Sequence, residues 1–316
     1  MNFDLWSWVI ITTYWTYCMA LTILLLLSII QSAPAATLCS WGAARDAGTL
    51  DPVVNESSGM AVSRRIPDRS YRINDSGDSG RFFVLNLAGT LSKTVYVPGF
   101  NPLDTEDMAV GPCGDSIDCI FIGDIGDNER RRQTVELVVV EERADFGALA
   151  QPLHRVLMRY PDGPHDAEAL GVHPDGSIYI TTKDAMRSQI FRLKRDQWRN
   201  SRNPIEVLEP VLTLDWPSLR PNTLPFSRMV TAMSIAPDGK RFLLLNYADA
   251  MEFFIDLSVT TDPSKWKAGV DYRTIFLTTL EQEEAIAYLP DGRSLLYDTE
   301  RTPNARSARI MRMDCR

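Results

Sequence analysis

Five residues with oxygen-bearing side chains stand at matched places along the chain: Ser58, Glu106, Glu168, Thr231 and Glu284. Each lies two positions ahead of an apolar anchor, namely Met60, Met108, Leu170, Met233 and Ile286. Three carboxylates and two hydroxyls are hard oxygen donors, the set that suits Ca²⁺. Brought to one axis, like charges repel unless a cation neutralises them. A shared divalent metal is therefore the chemistry the pattern points to. The competing reading is structural: an acid ahead of a strand also bonds neighbouring backbone amides, and duplicated segments inherit residues.

A second polar set follows. "NDSGD" carries Asn74, Asp75 and Asp78; "GDIGDN" carries Asp124, Asp127 and Asn128; Lys183, Asn246 and Glu300 occupy the corresponding place further on. Asp and Asn with Gly are ordinary turn formers, yet two acid-rich loops in neighbouring repeats also suit catalysis. His165 precedes Glu168 by three residues. Asp75, Asp124 and His165 are the candidates for a general base. No zinc-type His/Cys spacing, G-x-S-x-G elbow or Gly-Lys-Ser/Thr phosphate loop occurs.

The elements that position these residues repeat with them. The anchors are 48, 62, 63 and 53 residues apart, which suits a blade of four short strands. Each apolar run leads to a turn ("HPDGS", "APDGK" and "LPDGR" in the last three copies), a second strand, a polar loop and a third strand. The sequence thus predicts an all-β propeller of five blades, with a sixth within Trp198–Arg228 as the alternative. The last copy has three strands, so the stretch before Leu50 is expected to add the fourth and close the ring. A Cys39–Cys315 disulfide would lock that seam, and Cys113 and Cys119 flank a tight turn that a local bridge fits.

Residues 1–35 read differently. Trp6 to Ile30 is almost wholly apolar, and Ala33-Pro34-Ala35 fits a cleavage site, so an export signal is expected, with Met19 as an alternative start. An uncleaved membrane anchor is the other reading. The expected product is one propeller domain over 36–316, periplasmic or secreted, touching a membrane only through an uncleaved leader. A net charge of −8 argues against nucleic acid, which needs a basic face.

The blade-start segments "ESSGM", "TEDMA", "EALGV", "VTAMSI" and "EEAIA" resemble those of the calcium-activated nucleotidases (apyrases). That resemblance implies five blades, an axial Ca²⁺ and the first five residues above as its surroundings. It departs in the loops, where "NDSGD" replaces the nucleotidases' D-D-R-T-G. "NDSGD" and "GDIGDN" also look like exported bacterial propeller proteins of the phytase-like or esterase-like type. The resulting expectation is a metal-dependent hydrolase of a phosphoester or ester, with a non-catalytic ligand- or protein-binding propeller as the alternative.

Overall fold

Short runs rich in Val, Ile, Phe, Leu and Tyr, punctuated by turn residues, fold as strands. In the "HPDGS" and "APDGK" turns the chain takes positive φ at Gly176 (87°) and Gly239 (71°), a conformation glycine adopts without a Cβ clash. The structure, a computed structural model, describes residues 40–200, 202–278, 280, 282–301 and 308–316. The expected signal or anchor and Cys39 lie outside the described residues. Among the described residues no helix is long and apolar enough to cross a membrane.

The first strand, β1 (Arg45–Thr49), stands apart from the blade that follows it. Blade 1 is β2 (Ser57–Val62), β3 (Ser70–Asn74), β4 (Arg81–Leu85) and β5 (Leu91–Tyr96). Blade 2 is β6 (Thr105–Gly114), β7 (Ile117–Asp124), β8 (Val135–Glu141) and β9 (His154–Arg159). Blade 3 opens with β10 (Ala167–Val172), β11 (Ile178–Thr182) and β12 (Arg187–Leu193). Then come α1 (Arg195–Arg199), β13 (Glu206–Val207), β14 (Glu209–Asp215) and α2 (Trp216–Leu219). Blade 4 is β15 (Val230–Ile235), β16 (Phe242–Asn246), β17 (Ala250–Phe253) and β18 (Tyr272–Ile275). Blade 5 is β19 (Glu283–Tyr288), β20 (Ser294–Thr299) and β21 (Arg309–Asp314).

The five inner strands touch in sequence, and β19 touches β2, so the ring closes. Strand β1 pairs antiparallel with β21 and supplies the fourth strand of blade 5. The expected ring closure from the N-terminal side is therefore present. The Cys113–Cys119 disulfide is formed at the β6–β7 turn. Cys315 is disulfide-bonded as well. The segment Trp198–Arg228 is not a sixth blade. Its β14 completes blade 3, and its two-residue β13 adds a parallel fifth strand to blade 2. Two buried tryptophans pin this segment: Trp198 donates to the Gly176 carbonyl (2.8 Å) and Trp216 to Ser188 Oγ (2.8 Å).

The core is divided into five apolar layers, one at each blade-to-blade interface. Each sheet is covered on both faces, which is why the inner strands read as unbroken apolar runs rather than alternating ones. In blade 1 the whole of β2 and β3 is buried.

Candidate functional site

All five inner strands carry an irregularity at the same place. The register shifts between Ser57 and Gly59, Thr105 and Asp107, Ala167 and Ala169, Val230 and Ala232, and Glu283 and Ala285. The residues passed over are Ser58, Glu106, Glu168, Thr231 and Glu284, the five marked by the sequence. A bulge bends its strand and re-aims the extra side chain. Five bulges around one ring turn these side chains to a common mouth, where all five are buried.

The loops after each second strand open on the same face and add Asp75, Lys183, Tyr247 and Glu300. Asp75, Asp104 and Glu106 each present a carboxylate oxygen, and these oxygens lie within 4.8 Å of one another. Ser58 Oγ donates to the Glu106 carbonyl (2.7 Å) and to Glu106 Oε2 (3.2 Å). Thr231 Oγ1 donates to the Glu283 carbonyl (2.9 Å). Both hydroxyls thus tie their blade to the next one. The Lys183 ammonium sits against Glu168 Oε1 and 5.2 Å from the Tyr247 ring centroid. Gly126 closes over Glu106 and Asp104, and a Cβ there would collide with both carboxylates.

The electrostatics reflect this crowding. Burial, then the nearby Asp75, push Asp104 up to about 6. Burial, then Glu168 and Asp75, push Glu106 well up. Glu284 is raised by burial and by Glu168. Glu168 is pushed by burial up to about 8 although Lys183 pulls it down. Burial works against the Lys183 charge, but Glu168 and Tyr247 more than reverse that and hold it cationic.

A pH dependence follows. Acids whose folded pKa exceeds the unfolded value of about 4 bind more protons when folded, so stability falls as pH rises through that window. In EDTA, the melting temperature is expected to drop by several degrees between about pH 5 and pH 8. A metal-free melting temperature that rises across this range would show that burial in the folded state does not hold these acids above their ordinary range.

The remaining candidates sit elsewhere. Asp124 is buried and saturated: Arg132 forks onto it (2.6 and 3.2 Å), and the amides of Leu103 and Asp104 donate to it (3.1 and 2.7 Å). It shapes the loop that presents Asp104. His165 bonds Asp162 (2.9 Å) and packs edge-on against Tyr160. Among the described residues no hydrogen bond or ion pair joins it to the acid cluster. Asn74 and Asn246 organise turns, the latter with Asp249.

Sequence reasoning missed Asp104, Tyr247 and Asp107. Asp107 is fully buried on the axis, next to the bulge. It accepts from the amides of Met108 (2.7 Å), Leu170 (2.8 Å) and Met233 (3.1 Å), and the Met60 backbone is a further donor. Four blades thus converge on one carboxylate, which lies between the acid mouth and a pocket of mixed character lined by Met60, Met108, Met233, Tyr288, Arg64 and Ser234. The signal was present: the position before each anchor reads Gly59, Asp107, Ala169, Ala232 and Ala285, four small residues that leave room for one acid.

No protein-family model matches the chain, and no curated protein matches it. Among solved structures, it resembles the RRP9 WD40 repeats at 11% identity and a TM-score of 0.41, over 82% of this chain and 67% of that one. It also resembles luciferin-regenerating enzyme at 10% identity and a TM-score of 0.46, over 87% of this chain and 95% of that one. The five closed sheets define a β-propeller with an acid-lined mouth.

Proposed function

We propose that the mouth binds a divalent cation, with Ca²⁺ the best fit, and that the protein is an exported hydrolase of an ester or phosphoester. The observation that carries this is the convergence of Asp75, Asp104 and Glu106 from two blades. Ca²⁺ takes oxygen ligands at roughly 2.3–2.6 Å, so oxygens up to 4.8 Å apart fit on one coordination sphere. The donor set holds no His or Cys, which disfavours zinc. Gly126 supports the fit, since only a residue without a side chain lets both carboxylates close in. The Cys113–Cys119 disulfide supports an oxidising, extracytoplasmic location.

A cation held there supplies positive charge to the oxygen of a substrate carbonyl or phosphoryl group. Glu168, pushed up to about 8, carries a proton near neutral pH and is matched to donate it to the departing oxygen. Lys183 beside it stays cationic and faces the negative charge that develops on the substrate. A binding propeller without turnover is the second reading, favoured by the commitment of Asp124 and His165 to other partners.

Thermal melting tests the metal. At a hundredfold excess over its dissociation constant, a ligand of the folded state adds about 2.7 kcal/mol, roughly 5 °C for a domain of this size. Ca²⁺ after EDTA should produce such a rise in the wild type, and Asp104→Asn should lose most of it. No shift at millimolar Ca²⁺ would sink the metal centre and, with it, the hydrolase reading. A metal-dependent shift without turnover on a panel of esters and phosphoesters would favour the binding propeller.

A further inference from the structure

The far end of the channel differs from the acid mouth. The second halves of the inner strands and the turns that follow them line a pocket there, on the other side of Asp107 from the bulges. With its open entrance it spans about 420 Å³. Met60, Met108, Val172 and Met233 give it apolar walls from four blades, and no lining side chain is a carboxylate. Asp107 lies behind the walls, with its oxygens already taken by backbone amides. Tyr288 spends its hydroxyl on Glu252 (2.8 Å). The side chains left with polar hydrogens for the pocket are Arg64 and Ser234.

Arg64 follows β2 in blade 1 and reaches past blade 2 to blade 3, where it donates to the Val172 carbonyl at 3.4 Å. That contact is long, and it leaves most of the guanidinium N–H groups without a protein partner among the described residues. The side chain is half-buried, yet among the described residues no ion pair reaches it. Burial works against its charge, and the neighbouring Asp118 and Glu142 only partly offset that. Both acids are committed elsewhere: Arg65 binds Asp118 (2.8 Å), and the Tyr71 hydroxyl donates to Glu142 (2.9 Å). A charge taken out of water without a partner costs free energy. Ser234 Oγ accepts from the Tyr288 amide (3.0 Å), and among the described residues its O–H has no acceptor. The pocket thus offers a positive charge and hydrogen-bond donors over apolar walls.

We propose that this far mouth is a binding site for a short aliphatic carboxylate, with its oxygens held by Arg64, Ser234 as a further donor, and its alkyl end among the methionines. A guanidinium fork matches the two oxygens of a carboxylate. A phosphate matches the fork as well, but its remaining oxygens would face apolar walls that hold no donor. An alkyl end gains by leaving water for those walls. The ligand supplies the counter-charge that Arg64 lacks. This site is separate from the acid mouth and does not rest on the hydrolase reading.

The test is calorimetric titration of the intact protein in EDTA with sodium propionate and, separately, with neutral propan-1-ol and with sodium phosphate, at matched ionic strength. Propionate should bind about tenfold or more tightly than either of the others. Arg64→Met, which keeps an apolar stem and removes the charge, should weaken propionate about tenfold or more. Arg64→Lys, which keeps the charge and loses the fork, should weaken it severalfold. Ala109→Leu, which fills the pocket from blade 2 and leaves Arg64 in place, should also weaken it severalfold. A melting curve for each variant checks that it is folded. No propionate binding by the wild type, equal binding of propionate and propan-1-ol, or undiminished binding by a folded Arg64→Met would overturn the site. Equal binding of propionate and phosphate would overturn its assignment to carboxylates.

Discussion

Asp107→Ala should unfold at markedly lower denaturant than the wild type, with a loss of about 3 kcal/mol. The carboxylate holds the amides of Met108, Leu170 and Met233 at 2.7–3.1 Å. Removing it leaves several buried N–H groups unsatisfied at about 1–3 kcal/mol each. An offset limits the loss: burial pushes Asp107 well above the usual carboxylate range, and the backbone amides pull it only part of the way back. The charge is therefore expensive where it sits, and its removal returns some of that cost. Asp107→Asn, which keeps one acceptor and adds donors facing donors, should fall between the two. Urea denaturation with the slope monitored checks this, because an unchanged slope assigns the change in midpoint to stability. A wild-type midpoint for Asp107→Ala would mean that the carboxylate is not what joins four blades at the axis.

The second large effect belongs to the seam between the last blade and the first. Arg72 on β3 and Asp298 on β20 form an ion pair at 2.9 Å with both side chains fully buried. Ser57 Oγ donates to the other oxygen of Asp298 (3.0 Å). Breaking a buried pair by removing one partner costs about 3–5 kcal/mol, because the remaining charge has no compensation. Asp298→Ala should lose that much in urea denaturation. The double variant Arg72→Met with Asp298→Leu should recover most of it, since apolar replacements of similar volume are often near neutral. A loss of equal size in the single and double variants would assign the effect to packing rather than to the stranded guanidinium. The position explains the size: with β1 paired along its length to β21 and the chain then running on into β2, the seam is where the first and last blades of the ring must be held.

Much of this architecture was legible as a line of residues. Blade number follows from five anchors and their spacing, because each blade must bury two faces and so repeats one apolar template. Ring closure follows from a final copy one strand short. The five mouth residues were legible too, since their fixed offset from the anchors survives into five identical bulges. The role of the segment Trp198–Arg228 was not. Its length suited another blade, and only the pairing of β14 with β12 and of β13 with β9 shows it completing one sheet and extending another.

The sequence by itself determined the five inner-strand residues at the mouth, because position within a repeat sets position around a closed ring. It did not determine what each one does there. Asp75 and Asp124 occur in similar loops, yet Asp75 reaches the acid cluster and Asp124 is consumed by Arg132. Glu168 and Glu284 hold the same place in their strands, yet Lys183 lies against Glu168 while among the described residues no ion pair reaches Glu284. Asp104 enters the mouth from the loop ahead of β6 and Tyr247 from the loop after β16, and no tyrosine recurs at the matching place in the other blades. Chemistry at this mouth depends on distances of a few ångströms between residues from different blades, and those distances are fixed only when the ring closes.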